Sequence, residues 1–237
     1  MEALGYLRTM PLHAITEVYG EKGLRDRFEL ELHRLSETDR AQLRGVLAYA
    51  ANLHEDQRRV REPYLNHLLR VTLRILCYYG VTDVDVLTAA LLHDSVEDQP
   101  WRMIGRPETD SPPTTEALMV LAEKYGHRVA RLVDAVTNPD YDPHRDKNEQ
   151  YRVHVAEALE FEPWARVIKI SDFTDNGVGI IHTTGPKMMK AATKYAPLVP
   201  ILRELVSRSD TPLADEVKLH IFEQLDLAEL RFRAILN

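Results

Sequence analysis

Apolar residues recur every three or four positions along most of this chain, which is the spacing typical of amphipathic helices. The clearest stripe covers residues 38–54, and Ser36 followed by Asp39 predicts a capped start to that helix. A second helix is expected over residues 63–80 and a third over residues 83–98. No segment alternates apolar and polar residues long enough to predict a strand. The pattern therefore predicts an all-α, multi-helix bundle.

Two parts of the chain depart from this pattern. Residues 99–114 are rich in proline and glycine and are expected to form a surface loop. Residues 1–35 are amphipathic but poorly patterned, and we expect an N-terminal extension that is either an added helix or a partly ordered arm. Residues 36–237 are expected to form one domain, with further helices near 116–125, 128–136, 147–161, 164–173, 187–207 and 213–235.

Composition narrows the class of protein. The chain has 237 residues, with 30 Lys and Arg against 37 Asp and Glu, a formal net charge of −7. This balance argues against a nucleic-acid or anionic-membrane partner, since such binders carry a basic excess. The single cysteine, Cys77, excludes an internal disulfide and a cysteine-based zinc site. With no evident signal peptide or long apolar run, we expect a cytoplasmic protein with no membrane partner. The oligomeric state is left open.

The most informative segment is Leu91–Asp98, where a strongly apolar helix runs into His93 and the carboxylates Asp94, Glu97 and Asp98. Like charges three and four positions apart share a helix face and repel one another. The negative end of the helix dipole adds to that cost. A divalent cation would offset the cost, whereas the plainer alternative is a solvated acidic helix end preceded by a core histidine.

Two further residues favour the cation. His67 lies among apolar neighbours, and Asp172 ends an apolar run where a buried carboxylate needs a positive partner. Two histidines and two aspartates suit Mn²⁺, Fe²⁺ or Mg²⁺ with open water positions better than a closed zinc site. The residues alone therefore predict metal-assisted hydrolysis of a phosphoester.

The order of these motifs resembles the HD-domain phosphohydrolases, and within them the hydrolase domain of the RelA/SpoT alarmone enzymes and their small stand-alone relatives. The resemblance rests on an arginine-containing loop followed by Glu-Pro-Tyr and a histidine, on Leu-Leu-His-Asp-x-x-Glu-Asp, and on three later elements. These segments are residues 57–67, 91–98, 133–137, 167–176 and 195–198.

The resemblance implies a specific function. It implies a Mn²⁺-dependent hydrolase that removes the 3′-diphosphate of (p)ppGpp, with one ion per chain and a guanine nucleotide as its small-molecule partner. It also implies roles for nine residues: His67, His93, Asp94 and Asp172 as metal ligands; Glu97 and Asp98 as the catalytic pair; Arg59, Arg61 and Asn176 as nucleotide contacts. His54 and Gln57 also match the family, and we expect them to support packing of the first helix.

Three departures from the family pattern bear on this expectation. The arginine loop has Val60 and Arg61 where the family has Ser-Gly, and it is one residue shorter. Gly177-Val178-Gly179 follows Asn176 where the family is basic and apolar. Residues 99–113 resemble an insertion that could form a pocket rim. With no room for synthetase or regulatory domains, a hydrolase-only enzyme is expected. The alternatives are an HD phosphohydrolase acting on NADPH or another nucleotide, and a non-catalytic nucleotide-binding or antitoxin protein.

Overall fold

A computed structural model describes residues 2–237, with side chains from residue 4 onward. Residue 1 of the predicted extension lies outside the described residues. Over the described range the backbone is helical, and pairing between extended segments is confined to one isolated bridge between Arg58 and Pro63. The prediction of an all-α protein is therefore confirmed. The chain forms two compact units, one up to Asp134 and one from Ala135 onward.

The first unit is built around one deeply buried helix, α3, against which α1 and α4 pack, while α2 and α8 pack on α4. A 3-10 helix covers Glu2–Thr9. The α-helices of this unit are α1 (Leu12–Leu32), α2 (Glu37–Leu53), α3 (Leu65–Cys77), α4 (Val84–Leu92), α5 (Ser95–Asp98), α6 (Pro100–Ile104), α7 (Thr114–Tyr125) and α8 (His127–Asp134).

Helix α1, within the segment predicted as an extension, packs into the first unit. Leu24 and Phe28 are fully buried, and the helix is kinked at Gly20, whose φ of 63° is in the left-handed region. Glu31 is also fully buried, where the guanidinium of Arg27 lies 3.0 Å from its carboxylate. A buried carboxylate needs such a partner, so this pair within α1 allows Glu31 to be buried. A boundary between extension and domain at residue 35 stays a prediction.

The third predicted helix is shorter than expected. Helix α4 ends at Leu92, and His93 and Asp94 form a turn before the short helix α5. The prediction of one continuous helix to Asp98 was wrong because the backbone at Asp94, with φ −97° and ψ −4°, leaves ideal helical values. His93 and Asp94 therefore lie between two helices and not within one.

The predicted loop over residues 99–114 also contains a helix. Pro100 occupies the first turn of α6, where its missing N–H costs nothing, and Gly105 ends the helix with a left-handed φ of 67°. The sequence predicts a loop here because proline and glycine commonly interrupt helices, whereas in the structure these two residues begin and end one. Only the remainder, residues 105–113, is irregular.

The second unit contains five α-helices and two 3-10 helices. They are α9 (Lys147–Ala158), α10 (Pro163–Asn176), a 3-10 helix (Val178–His182), α11 (Pro186–Tyr195), a 3-10 helix (Ala196–Leu198), α12 (Val199–Ser207) and α13 (Asp215–Leu236). Helix α10 is buried along nearly its whole length and packs on α12 and α13. The single helix expected over residues 187–207 is divided by a 3-10 turn that contains Pro197.

None of the helices in the described part of the chain combines the length and the apolar character needed to cross a bilayer.

Candidate metal centre and catalytic pair

Three of the predicted metal ligands converge in the first unit. His67 projects from α3, and His93 and Asp94 lie in the turn after α4. The carboxylate oxygen Oδ2 of Asp94 lies 3.1 Å from Nε2 of His93 and 3.4 Å from Nε2 of His67. The two histidine side chains are 2% exposed, and their ligand nitrogens lie within 4.8 Å of each other. The arrangement concentrates three possible ligand atoms at one point.

The hydrogen-bonding state of His93 shows that these atoms fit a metal ion. Its Nδ1 lies 2.9 Å from the carbonyl oxygen of Ala90, and since a carbonyl can only accept, Nδ1 carries a hydrogen. In the neutral ring Nε2 then carries the lone pair that a metal ion would need, whereas in the protonated ring Nε2 donates to the Asp94 oxygen 3.1 Å away. Such an anchored ring is the usual state of a metal-binding histidine. A cation among the three acceptor atoms would relieve their mutual repulsion.

Asp94 is held in its charged form. Burial, the largest influence, would raise the pKa of its carboxyl, but the charge of His93 and hydrogen bonds from both histidines outweigh it and keep the pKa well below the usual value. The hydroxyl of Tyr64 also donates a hydrogen bond of 2.7 Å to Oδ2 of Asp94. The ring of Tyr64 stands edge-on to His67 at a centroid distance of 5.7 Å. Tyr64 therefore fixes the orientation of the carboxylate.

The predicted catalytic pair lies on the short helix α5 and faces solvent. Gln57 donates a hydrogen bond of 2.7 Å to Oδ2 of Asp98. The pKa of Asp98 is raised, first because the surrounding protein removes water from its carboxyl and then because Asp94 is negatively charged. A carboxylate with a raised pKa is a better proton acceptor than an ordinary one. Of the pair, Asp98 thus has the environment of a general base.

The arginine loop is closed by hydrogen bonds that need no ligand. The backbone N–H of Tyr64 donates to the carbonyl of Gln57 at 3.1 Å, and that of Arg59 donates to Glu62 at 2.9 Å. The guanidinium of Arg70 forms two bonds of 2.7 Å to the Glu62 carboxylate, which fixes the loop on α3. Arg59 is half-buried, and Arg61 is exposed.

The remaining predicted site residues lie together on α10 of the second unit. Asp172 is buried, and its carboxylate accepts hydrogen bonds from Nζ of Lys169 at 3.0 Å and from the amide of Asn176 at 2.5 Å. Burial alone would lower the pKa of Lys169, but Tyr151 and Asp172 outweigh it and keep that pKa well above the usual value. Lys169 therefore carries the positive charge that the buried Asp172 requires.

Sequence reasoning missed three residues of this region. The family motif contains Tyr64 but predicts no separate role for it, no role is predicted for Lys169, and Gln57 is predicted only to support packing of the first helix. Gln57 instead bonds to Asp98. The spacing of Lys169 three positions before Asp172 was a usable signal, because such residues are neighbours on a helix.

Comparisons with known proteins show which family this chain resembles. A family model described as an HD domain matches residues 46–160. The chain is 34% identical over 138 residues to the human guanosine-3′,5′-bis(diphosphate) 3′-pyrophosphohydrolase MESH1, covering 57% of this chain and 67% of that protein. It is also 30% identical over 163 residues to the guanosine-3′,5′-bis(diphosphate) 3′-pyrophosphohydrolase of Aquifex aeolicus. That match covers 66% of this chain and 21% of that protein.

A solved structure gives the same result for the fold. It is described as a metazoan ortholog of SpoT that hydrolyses ppGpp, and it superposes with a TM-score of 0.55 at 28% identity, covering 79% of this chain and 97% of that one. An all-helical fold with an HD-domain match and a paired His93 and Asp94 defines the class of HD-domain proteins. Within that class, the chain belongs to the RelA/SpoT-type (p)ppGpp hydrolase family.

Proposed function

We propose that this protein is a metal-dependent (p)ppGpp 3′-pyrophosphohydrolase, which releases pyrophosphate and leaves GDP or GTP. The observation that carries the proposal is the convergence of His67, His93 and Asp94 on one point, within the same unit as the hydrogen-bonded base Asp98. Metal ligands beside a proton acceptor are what hydrolysis of a phosphate ester requires. Membership of the family supports the choice of substrate.

We assign the metal to His67, His93 and Asp94, with Asp172 as the proposed fourth ligand and Mn²⁺ as the proposed ion. Two imidazole nitrogens with carboxylate oxygens make a mixed donor set, which suits Mn²⁺ and related divalent ions. The charged state of Asp94 supports its assignment, and the match of Asp172 to the family motif over residues 167–176 supports the fourth. When bound, such an ion lowers the pKa of a water molecule and polarises a phosphoryl oxygen.

The residues of the chain then divide the work of hydrolysis. Asp98 accepts a proton from the attacking water, which its raised pKa favours. Glu97, one position earlier on α5, is proposed to orient that water. The nucleophile must attack in line with the leaving 3′ oxygen, so that the new O–P bond forms as the P–O3′ bond breaks. The 3′ oxygen takes up a proton from solvent and leaves as the hydroxyl of GDP or GTP. The two carboxylates therefore have to face the side of the phosphorus opposite the nucleoside.

Nucleotide recognition is assigned to Arg59 and Arg61 of the loop before α3 and to Asn176 at the end of α10. Arginine is suited to both parts of the ligand, because its planar guanidinium can stack on a base or bind phosphate oxygens with two hydrogen bonds. With a net charge of −7 the chain as a whole repels a polyanion. The arginine loop and the metal must therefore supply the local positive potential.

An assay of purified protein with a panel of substrates tests the proposal. The panel contains ppGpp, pppGpp, NADPH, deoxynucleoside triphosphates and cyclic dinucleotides, each with Mn²⁺ or Mg²⁺ and with chelator. We expect GDP or GTP and pyrophosphate from the alarmones only when a metal is present. Asp94→Ala should lose both metal binding and turnover, while Asp110→Ala, at an exposed aspartate in the same unit, should retain both.

The same panel separates the alternatives. Faster turnover of NADPH or of another nucleotide would replace (p)ppGpp as the substrate. Binding of ppGpp measured by calorimetry without release of pyrophosphate would point to a non-catalytic protein. Full turnover by a metal-stripped Asp94→Ala protein would refute the metal site.

A further inference from the structure

We propose that Gln57 is a positioning residue that holds the Asp98 carboxylate in the orientation required to accept a proton, and that His54 and Gln99 fix Gln57 in turn. This inference rests on the proposed function, since it assigns a partner to the proposed base. Nothing in the family assignment requires it, and the sequence predicted only a packing role for Gln57.

The need for such a partner follows from where Asp98 lies. It is an exposed residue at the end of α5, a helix of four residues, and a side chain in that position can rotate unless something binds it. The amide nitrogen of Gln57 donates to Oδ2 of Asp98 at 2.7 Å, a short hydrogen bond to a charged acceptor. One carboxylate oxygen is therefore held, and the direction of the other is set.

The amide of Gln57 is held in one orientation by two other contacts. Its oxygen Oε1 accepts a hydrogen bond from the amide nitrogen of Gln99 at 3.0 Å, and it lies 2.6 Å from Nδ1 of His54. Because an amide oxygen cannot donate, both contacts place Oε1 on the side away from Asp98. The donor group then has to face the carboxylate, which is the orientation that the bond to Asp98 also requires.

His54 is in the state that this network needs. Burial lowers the pKa of His54, so the ring is neutral and carries one hydrogen. With that hydrogen on Nδ1, directed to Gln57, Nε2 is free to accept from the hydroxyl of the buried Ser95 at 3.3 Å. The ring also stacks on Tyr64 at a centroid distance of 5.0 Å and an interplanar angle of 13°. The ring is therefore held by contacts from two other segments, the turn before α3 and helix α5.

The backbone of Gln57 is anchored at both of its polar groups. Its N–H donates to the carbonyl of His54 at 3.0 Å, and its carbonyl accepts from the N–H of Tyr64 at 3.1 Å. The side chain thus starts from a fixed point between the end of α2 and the start of α3. A positioning residue has to be rigid itself, because any freedom it has is passed on to the group it holds.

Solvent competes for the bond between Gln57 and Asp98. Both residues line a cavity of about 520 Å³, whose wall also includes Gln99 and Trp101. Water in that cavity could hydrogen-bond to either partner and release Asp98. The two additional bonds to the Gln57 oxygen oppose this, because rotation of the amide would break three hydrogen bonds at once.

The variant Gln57→Glu tests this inference most directly. It keeps the shape of the side chain and the acceptor oxygen for His54 and Gln99, but it replaces the donor facing Asp98 by a negative charge. We expect kcat for ppGpp to fall about 10- to 100-fold, a fraction of what a general base contributes. KM and the affinity for Mn²⁺ should stay within about threefold of wild type, since Asp98 is not a proposed ligand. Gln150→Glu, in the second unit, is the matched control and should leave kcat unchanged.

A pair of substitutions at His54 separates positioning from folding. His54→Asn keeps an N–H donor in place of Nδ1–H, whereas His54→Phe keeps only the flat ring. We expect kcat to fall in the order wild type, His54→Asn, His54→Phe, while thermal unfolding confirms that each variant is folded. Equal kcat for the two variants would contradict the role given to His54.

The outcomes of these experiments distinguish this inference from the proposed function. Gln57→Glu with the kcat of the wild type, or with a loss entirely in KM or in metal affinity, would overturn it while the proposed function stands. A wild-type protein inactive on (p)ppGpp would overturn the proposed function instead. In that case crystal structures of wild type and Gln57→Glu decide the inference: rotation of the Asp98 carboxylate supports it, and an unmoved carboxylate refutes it.

Discussion

Removing the hydroxyl of Tyr64 should weaken metal binding without disturbing the fold. The variant Tyr64→Phe loses the 2.7 Å hydrogen bond to Oδ2 of Asp94 but keeps the ring that stacks on His54 and stands edge-on to His67. A hydrogen bond to a charged group contributes about 1.5–3 kcal/mol. If all of that contribution were lost from metal binding, the affinity for the ion would fall by roughly 10- to 150-fold, at about 1.4 kcal/mol per tenfold change.

The lower end of that range is the better expectation. The Asp94 oxygen keeps both histidine neighbours in the variant, so part of its orientation survives. We therefore expect the Kd for Mn²⁺, measured by isothermal titration calorimetry, to rise about tenfold, as is common for residues that orient a metal ligand. Tyr49→Phe is the matched control, because that ring packs against Tyr125 on α7 instead. A Kd for Tyr64→Phe within about twofold of wild type would refute the reasoning.

Three further predictions follow from charges and burial. Because the pKa of Asp98 is raised, kcat should begin to fall with decreasing pH at a pH above the usual carboxyl pKa of about 3.9. In the same assay, Asp98→Asn should lower kcat by at least about 100-fold. The pKa of Asp83 is lowered, chiefly by its hydrogen bond from Arg128. This pair therefore stabilises the fold above about pH 4, and the stabilisation is lost as the pH falls through the pKa of the folded state. Urea unfolding of Asp83→Asn should show a loss of about 1 kcal/mol near neutral pH that disappears in acid, and an equal loss in acid would contradict the assignment. Burial raises the pKa of Cys77 to about 11. Its reaction with a disulfide reagent near pH 8 should therefore be about 200-fold slower than that of a free thiol until the protein is unfolded. Rapid reaction of the folded protein would refute this.

Local signals in the sequence predicted several elements well. The prediction of a cap at Ser36 is confirmed, since its hydroxyl accepts from the N–H of Asp39 at 3.1 Å and α2 begins at Glu37. Such a cap depends on residues three positions apart, which the sequence displays directly. Helix α6 was missed for the opposite reason. With five residues it is too short to show a periodic stripe, so its proline and glycine indicate a loop when the sequence is considered alone.

The turn at His93 and Asp94 marks where periodicity stops being informative. Helix α4 is apolar on nearly all sides, so its pattern does not indicate where the helix should end. The contacts that occupy the turn come from far along the chain. Tyr64 lies thirty positions before Asp94, and Gln57 lies forty-one positions before Asp98. Spacing predicted which residues are chemically suited to the site, whereas the partners that orient them depend on the tertiary fold.

The loop before α3 separates the bonds that orient the proposed catalytic residues from the side chains proposed to contact the nucleotide. Two hydrogen bonds of 2.7 Å join Glu62 to Arg70, and the backbone N–H of Tyr64 donates to the carbonyl of Gln57. These bonds hold both residues that orient the site's carboxylates, and none of them involves the side chains at positions 60 and 61, which are exposed. Replacing the family's Ser-Gly there by valine and arginine therefore changes what the loop presents to a nucleotide. It does not change the frame that orients Asp94 and Asp98.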